Sequence, residues 1–280
     1  MSQGHHASAS AVFFEGPRTS SEPHPLSGIP PTIQSLLPAS VTPTQGLSPS
    51  FSGQFSPFCP PSVITRINTG KLELELLGHP DRSVADYVLT GLHHGFCLPF
   101  NPAAVCLRSA SLNMASASLQ PEVIDDYLLA EMVRGRISGL FSAPPLTNLY
   151  NSHFDAIHHV GKWGLILNLS SPPGGSVNDG IQREPFSAQY MSADDIVDGI
   201  IDLGRGPLMA KYDIENTYRI VPVHPEDRFL LGTCWKDNFL VDLGLPFGLP
   251  LASFIFTTIA NLLEWILRHN YSVGFIKDYY

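Results

Sequence analysis

Two acidic positions and the lysine between them are the residues best suited to chemistry. Leu208 to Tyr218 begins as an apolar stretch expected to form a buried strand, reaches a carboxylate at Asp213, and continues to an aromatic at Tyr218. A carboxylate at the end of a buried strand is held by rigid backbone at a sheet edge, where a cation can reach it and water can be excluded. The same position also suits an Asp that closes a strand as a turn residue or caps a following helix. The second acidic position lies in Phe275-Ile276-Lys277-Asp278-Tyr279-Tyr280, where Asp278 follows a lysine. Two further stretches could line a site, Lys162-Trp163-Gly164-Leu165-Ile166-Leu167-Asn168-Leu169-Ser170 and Leu245-Pro246-Phe247-Gly248-Leu249.

Taken in order, these four stretches resemble the fingers and palm of retrotransposon reverse transcriptases. The usual family forms are K-W-R-L-I-L-D-L-S, a strand ending D-I-x-x-A-Y, L-P-F-G-L, and Y-L-D-D. The resemblance covers roughly residues 121 to 280, with weaker similarity from about residue 60. It implies RNA-directed DNA polymerase chemistry, in which a deoxynucleotide is added to a primer 3′-hydroxyl with two divalent ions, normally Mg²⁺. It also implies roles for single residues. Asp213 and Asp278 would be catalytic metal ligands, and Tyr218 would be the aromatic that excludes a 2′-hydroxyl. Phe247 and Gly248 would form the loop against which the nucleotide packs, and Lys162 would be a cation near the phosphates. Template-primer, RNA or DNA, and dNTP would be the partners. In the bland reading Tyr218 and Phe247 are core aromatics, Gly248 is a turn glycine and Lys162 is a solvated strand-end lysine.

The sequence departs from the family where charge matters most. Lys277 stands at the first of the paired aspartates, so Asp213, Lys277 and Asp278 carry a formal −1 where three carboxylates would carry −3. An ammonium there repels a divalent ion and supplies no ligand. Gly164 stands where the family has a phosphate-contacting base after Trp, and Asn168 where it has Asp. Pro250-Leu251-Ala252-Ser253 replaces Arg-Ser-Ala-Pro, which removes a further cation. The sequence reaches Tyr280 within or just after the expected hairpin turn, so the resemblance implies a palm cut short before the thumb. The expected function is a reverse-transcriptase fragment with impaired catalysis. The alternative is a non-catalytic nucleic-acid-binding or scaffold protein of retrotransposon origin.

The elements that would position these residues are legible in outline. Residues 1–60 are rich in Ser, Pro and Gly and show no sustained period, which predicts a disordered leader. Residues 61–140 read as a helical region ahead of the fingers. Val84, Tyr87, Val88, Leu89 and Leu92 recur at helical spacing before Gly95, and a second helix is expected from Pro121 to Arg134. Residues 141–280 read as fingers and partial palm: a strand from Trp163 to Leu169, a turn-rich loop from Ser171 to Gly180, and a helix opening at Ser192 with Ile196, Ile200 and Leu203 on one face. Phe229–Trp235 and Phe239–Leu243 form a hairpin over Lys236-Asp237-Asn238, a long helix runs from about Leu251 to Arg268, and a last strand is expected at Val273 to Ile276. This order suits an α+β, right-hand polymerase palm with an antiparallel sheet.

Composition narrows the classes. With 280 residues, 44% hydrophobic and only 15% charged, the chain can build a core, yet a net charge of −9 runs against the basic cleft that grips phosphate backbones. The four cysteines, Cys59, Cys97, Cys106 and Cys234, lack the close pairing of a zinc site, and reduced thiols in a cytoplasmic or nuclear setting are expected. There is no signal-peptide pattern, and no apolar run spans a bilayer.

Overall fold

The structure is a computed structural model that describes residues 9–15, 62–105, 112–159, 162–182, 193–206, 208–214, 217–271, 273 and 275–279. Its first element falls within the stretch expected to lack order: Ala9–Glu15 is a strand, β1. The composition argument missed it because a short strand gains its stability from distant partners, which local Ser/Pro richness does not reveal. The rest of residues 1–60 lies outside the described residues.

The helical region follows. Helix α1 spans Thr69–Glu75 and α2 spans Arg82–His94, capped by the Asp81 carboxylate on the Ser83 and Val84 amides and ended by Gly95 at φ 86°. The expected glycine stop is therefore present, because only glycine takes this backbone angle without steric cost. After a short helix α3, Ala115–Leu119, α4 covers Pro121–Val133 with Pro in its first turn. Strands β2 (Ile137–Phe141), β3 (Asn151–His159) and β4 (Lys162–Asn168) come next, then α5 (Ala193–Leu203) and β5 (Leu208–Ile214). A 3₁₀ turn at Thr217–Ile220 leads on to β6 (Gly232–Trp235) and β7 (Asn238–Asp242). Their tight turn sets Lys236 and Asp237 at φ 48° and 61°, the left-handed pair that matches strand twist in a two-residue hairpin. Helix α6 spans Ala252–Tyr271, and β8, Phe275–Tyr279, closes the described chain.

The strands make two sheets. One has the order β2-β7-β6-β3-β4 and is antiparallel except where β3 runs parallel to β6, with Asn151 opposite Gly232. The other has the order β5-β1-β8, antiparallel throughout. Two apolar clusters hold the elements together. The larger joins α1, α2 and α6 to the segments around Tyr218, Val223, Leu231 and Leu245; the smaller packs Ala117, Ile124 and Leu128 onto Ile137, Phe154, Trp235 and Leu240. Helix α5 departs from its expected facing, since Ile196 and Leu203 are half-buried while Ile200 is 37% exposed.

Candidate active site

Asp213 is the penultimate residue of β5, at the end of the apolar strand as expected. Beyond it the chain is fixed by short-range contacts: the buried Thr217 hydroxyl donates to the Ile214 carbonyl at 2.9 Å, and Tyr218 then turns into the larger core. Tyr218 is 8% exposed, with its ring 5.2 Å from Phe247 and 6.1 Å from Phe256 between centroids. Phe247 is half-buried, and Gly248 turns the loop at φ 87° before α6.

That loop is tied down by a residue the sequence did not single out. The buried Asn178 amide donates to the Gly248 carbonyl at 2.9 Å and to the Ser170 hydroxyl at 2.8 Å, bridging the end of β4 to the Phe247-Gly248 turn. Asn178 sits in the 3₁₀ turn Val177–Gly180, opened by a capping box between Ser176 and Asp179. The Ser-x-x-Asp spacing was the only sequence signal for it. A cavity of about 350 Å³ lies beside this turn, lined by residues including Tyr150, Asn151, Ser176 and Phe239.

The two acidic positions are brought into one sheet but not side by side. The resemblance implies aspartates in a hairpin turn next to the Asp213 strand; instead Lys277 and Asp278 lie within β8, and β1 runs between β8 and β5. The reason is hydrogen bonding: β1 pairs antiparallel with both strands and so satisfies both of the edges they present to each other. Asp213 pairs with Ser10, while Asp278 pairs with Ala11. Directly paired residues share a face and consecutive residues alternate, so Asp213 and Asp278 belong to opposite faces. Lys277, paired with Val12, shares the Asp213 face. Lys162 begins β4, the edge strand of the other sheet, opposite His159.

Two oxygens on one Mg²⁺ lie no more than about 4.2 Å apart, given ligand distances near 2.1 Å. Backbone positions two strands apart are separated by about 9.6 Å. The backbones of Asp213 and Asp278 stand on strands that are not neighbours, with β1 between them.

A separate cluster of buried charges was missed by sequence reasoning. Arg219, 3% exposed, donates from Nε to Glu131 Oε2 at 3.0 Å and from its terminal nitrogen to Asp242. Arg136 donates to Glu131 Oε1 at 2.7 Å. Burial alone would lower the Arg219 pKa, but Asp242, Tyr127 and Glu131 outweigh it and hold the guanidinium charged. The neighbouring Tyr127 phenol is pushed up to about 12, chiefly by burial. Glu131 thus holds Arg219, Arg136 and, at 3.6 Å, Arg134, and with Asp242 on Arg219 the cluster joins α4, the turn after Tyr218 and the end of β7.

No family model matches the sequence, and no curated protein matches it. Among solved structures the chain is similar to the protease–reverse transcriptase of prototype foamy virus. A selenomethionine-labelled mutant shows 16% identity over 60% of this chain and 21% of that one, with a TM-score of 0.41. The native form shows 16% over 61% and 21%, with a TM-score of 0.35. A foamy viral protease–reverse transcriptase in complex with double-stranded DNA shows 14% over 76% and 37%, with a TM-score of 0.36. The matched region thus spans between a fifth and two fifths of the length of those proteins. In its own right the chain is a mixed α+β protein built around a five-stranded, mostly antiparallel sheet.

Proposed function

We propose that this chain is a retroelement reverse-transcriptase fragment, comprising fingers and part of the palm, which does not polymerise DNA in the form described. Four sequence blocks in order support that ancestry: Lys162 to Ser170, Leu208 to Tyr218, Leu245 to Leu249 and Phe275 to Tyr280. Impairment is supported by one observation above all: β1 separates the strand of Asp213 from the strand of Asp278, and Lys277 occupies the register position on the Asp213 face. A divalent ion would have supplied hydroxyl activation and triphosphate clamping in the ancestral enzyme. In this reading Asp213 is left without a paired aspartate on a neighbouring strand. Template-primer binding is a separable property and is part of the proposal, with dNTP as the ancestral co-substrate.

Primer extension with the purified chain tests this reading. No incorporation above that of Asp213→Ala is expected with Mg²⁺ or Mn²⁺. Robust synthesis that disappears in Asp213→Ala would overturn it. A gain-of-function arm sharpens the assay: Lys277→Asp in a chain lacking residues 1–16 removes both obstacles, and any recovered activity should depend on Asp213.

A further inference from the structure

The turn after α2 and the segment following Tyr218 bring together a thiol, an imidazole and a carboxylate that the polymerase reading does not use. Ligand atoms of Cys97, His224 and Asp227 all lie within 4.8 Å of one another, with Cys97 exposed and the other two half-buried. We propose that these three residues bind a borderline transition-metal ion of the zinc class, with a solvent molecule as fourth ligand.

Phe96 and Val223 form a parallel bridge, in which the Phe96 amide donates to the Pro222 carbonyl at 2.9 Å and the His224 amide to the Phe96 carbonyl at 3.0 Å. Gly95 makes the approach possible: a Cβ there would stand 2.4 Å from the His224 backbone nitrogen, and its φ of 86° suits glycine alone. Phe96, Leu98 and Val223 are buried in the larger core on either side of the cluster. The Asp227 amide donates to the His224 carbonyl at 2.9 Å, setting the two side chains three residues apart on one tight turn. The three groups are therefore held by backbone already fixed for other reasons, which lowers the ordering cost of binding.

The chemistry of the donor set selects the ion. Thiolate, imidazole and carboxylate form a mixed S, N, O set that suits Zn²⁺ over Mg²⁺ or Ca²⁺, which prefer oxygen alone. Tetrahedral zinc with bonds near 2.0 to 2.3 Å holds its ligand atoms about 3.3 to 3.6 Å apart. The observed spread closes to that distance with a shift of about 1 Å, within the reach of side-chain rotation. Charge also balances, since thiolate and carboxylate together neutralise a divalent ion. On binding, the Cys97 S–H bond is replaced by an S–metal bond and the proton leaves to solvent.

Outer contacts are in place for the carboxylate. Asp227 Oδ2 accepts the Leu98 amide at 2.8 Å, the kind of second bond that orients a metal-binding carboxylate. For His224, the Glu226 amide donates to Nδ1 at 3.4 Å, a long contact that a metal bond at Nε2 would keep and one at Nδ1 would displace at small cost. Asp227 capping Leu98 explains the carboxylate's position without a metal; it does not explain why a thiol and an imidazole converge on the same point.

The test uses the full chain dialysed against micromolar Zn²⁺ with excess Mg²⁺, and in parallel against Co²⁺. One Zn²⁺ retained per chain is expected, together with a thiolate-to-cobalt charge-transfer band in the near ultraviolet. Cys97→Ser should abolish the band and weaken Zn²⁺ retention by at least about 100-fold, more than loss of an outer partner usually costs. His224→Gln should weaken retention while its far-ultraviolet circular dichroism stays unchanged, and Cys234→Ser should change neither readout. Failure to retain Zn²⁺, or full retention with an undiminished band in Cys97→Ser, would overturn the assignment. Primer extension does not bear on it, so failure of the polymerase reading leaves this one standing.

Discussion

Arg219 shows how much a single side chain can carry. It sits immediately after the expected sugar-gate tyrosine, yet its partners are Glu131 and Asp242, so its work is to lock the turn against α4 and β7. Replacing it with Met takes the ion-pair partner from the buried Asp242 and leaves Glu131 with Arg136 and Arg134, and about 3–5 kcal/mol of stability should be lost in urea unfolding. Tyr218→Phe, by contrast, keeps the ring packed on Phe247 and Phe256 and should cost far less. His153 gives a pH-dependent counterpart. It is buried, and burial lowers its pKa from the ordinary 6.5, with Asp155 opposing. The unfolded chain therefore binds more protons between the two values, and stability is complete above about 6.5 and falls as pH drops through the folded value. Unfolding midpoints measured from pH 8 to 5 should show this decline, and His153→Gln should flatten it.

Among the elements, β1 is the one whose role the sequence concealed. It is the centre of a three-stranded sheet, so both of its edges are hydrogen-bonded. Val12 lies opposite both Lys211 and Lys277, and proline there removes a ladder donor from a central strand. Val12→Pro should release β5 and β8 as open edges. The expected result is faster amide exchange in both strands and a tendency to aggregate, read by size-exclusion chromatography. Unchanged exchange in Leu208–Ile214 would mean that β1 does not hold them. The helices were easier to read. Helices α2, α4 and α6 follow from apolar spacing with glycine or proline punctuation, and the β6–β7 hairpin follows from its turn residues. Strand β3 escaped notice because its mixed sequence, Asn151–His159, has no clean alternation.

At the scale of the whole molecule, charge decides what can be bound. A chain of net charge −9 repels a phosphate backbone unless cations are gathered on one face. Binding to an RNA–DNA duplex, if retained from the ancestral role, should be weak and should vanish by physiological salt. A gel shift titrated from low ionic strength upward measures this directly, and no shift even at low salt would remove nucleic acid from the proposed partners. The described residues hold no helix long and apolar enough to cross a membrane.

The order of the motif blocks, the main helices, the hairpin turn and the exchange of an aspartate for Lys277 were all fixed by the sequence alone, because each depends on neighbours a few residues apart. Tertiary structure decided the remainder. It alone set β1 between Asp213 and Asp278, buried Glu131 beside Arg219 and Asp242, and gathered Cys97 with His224 and Asp227. Those outcomes depend on which distant segments share a strand edge or a core, and local periodicity carries no record of that choice.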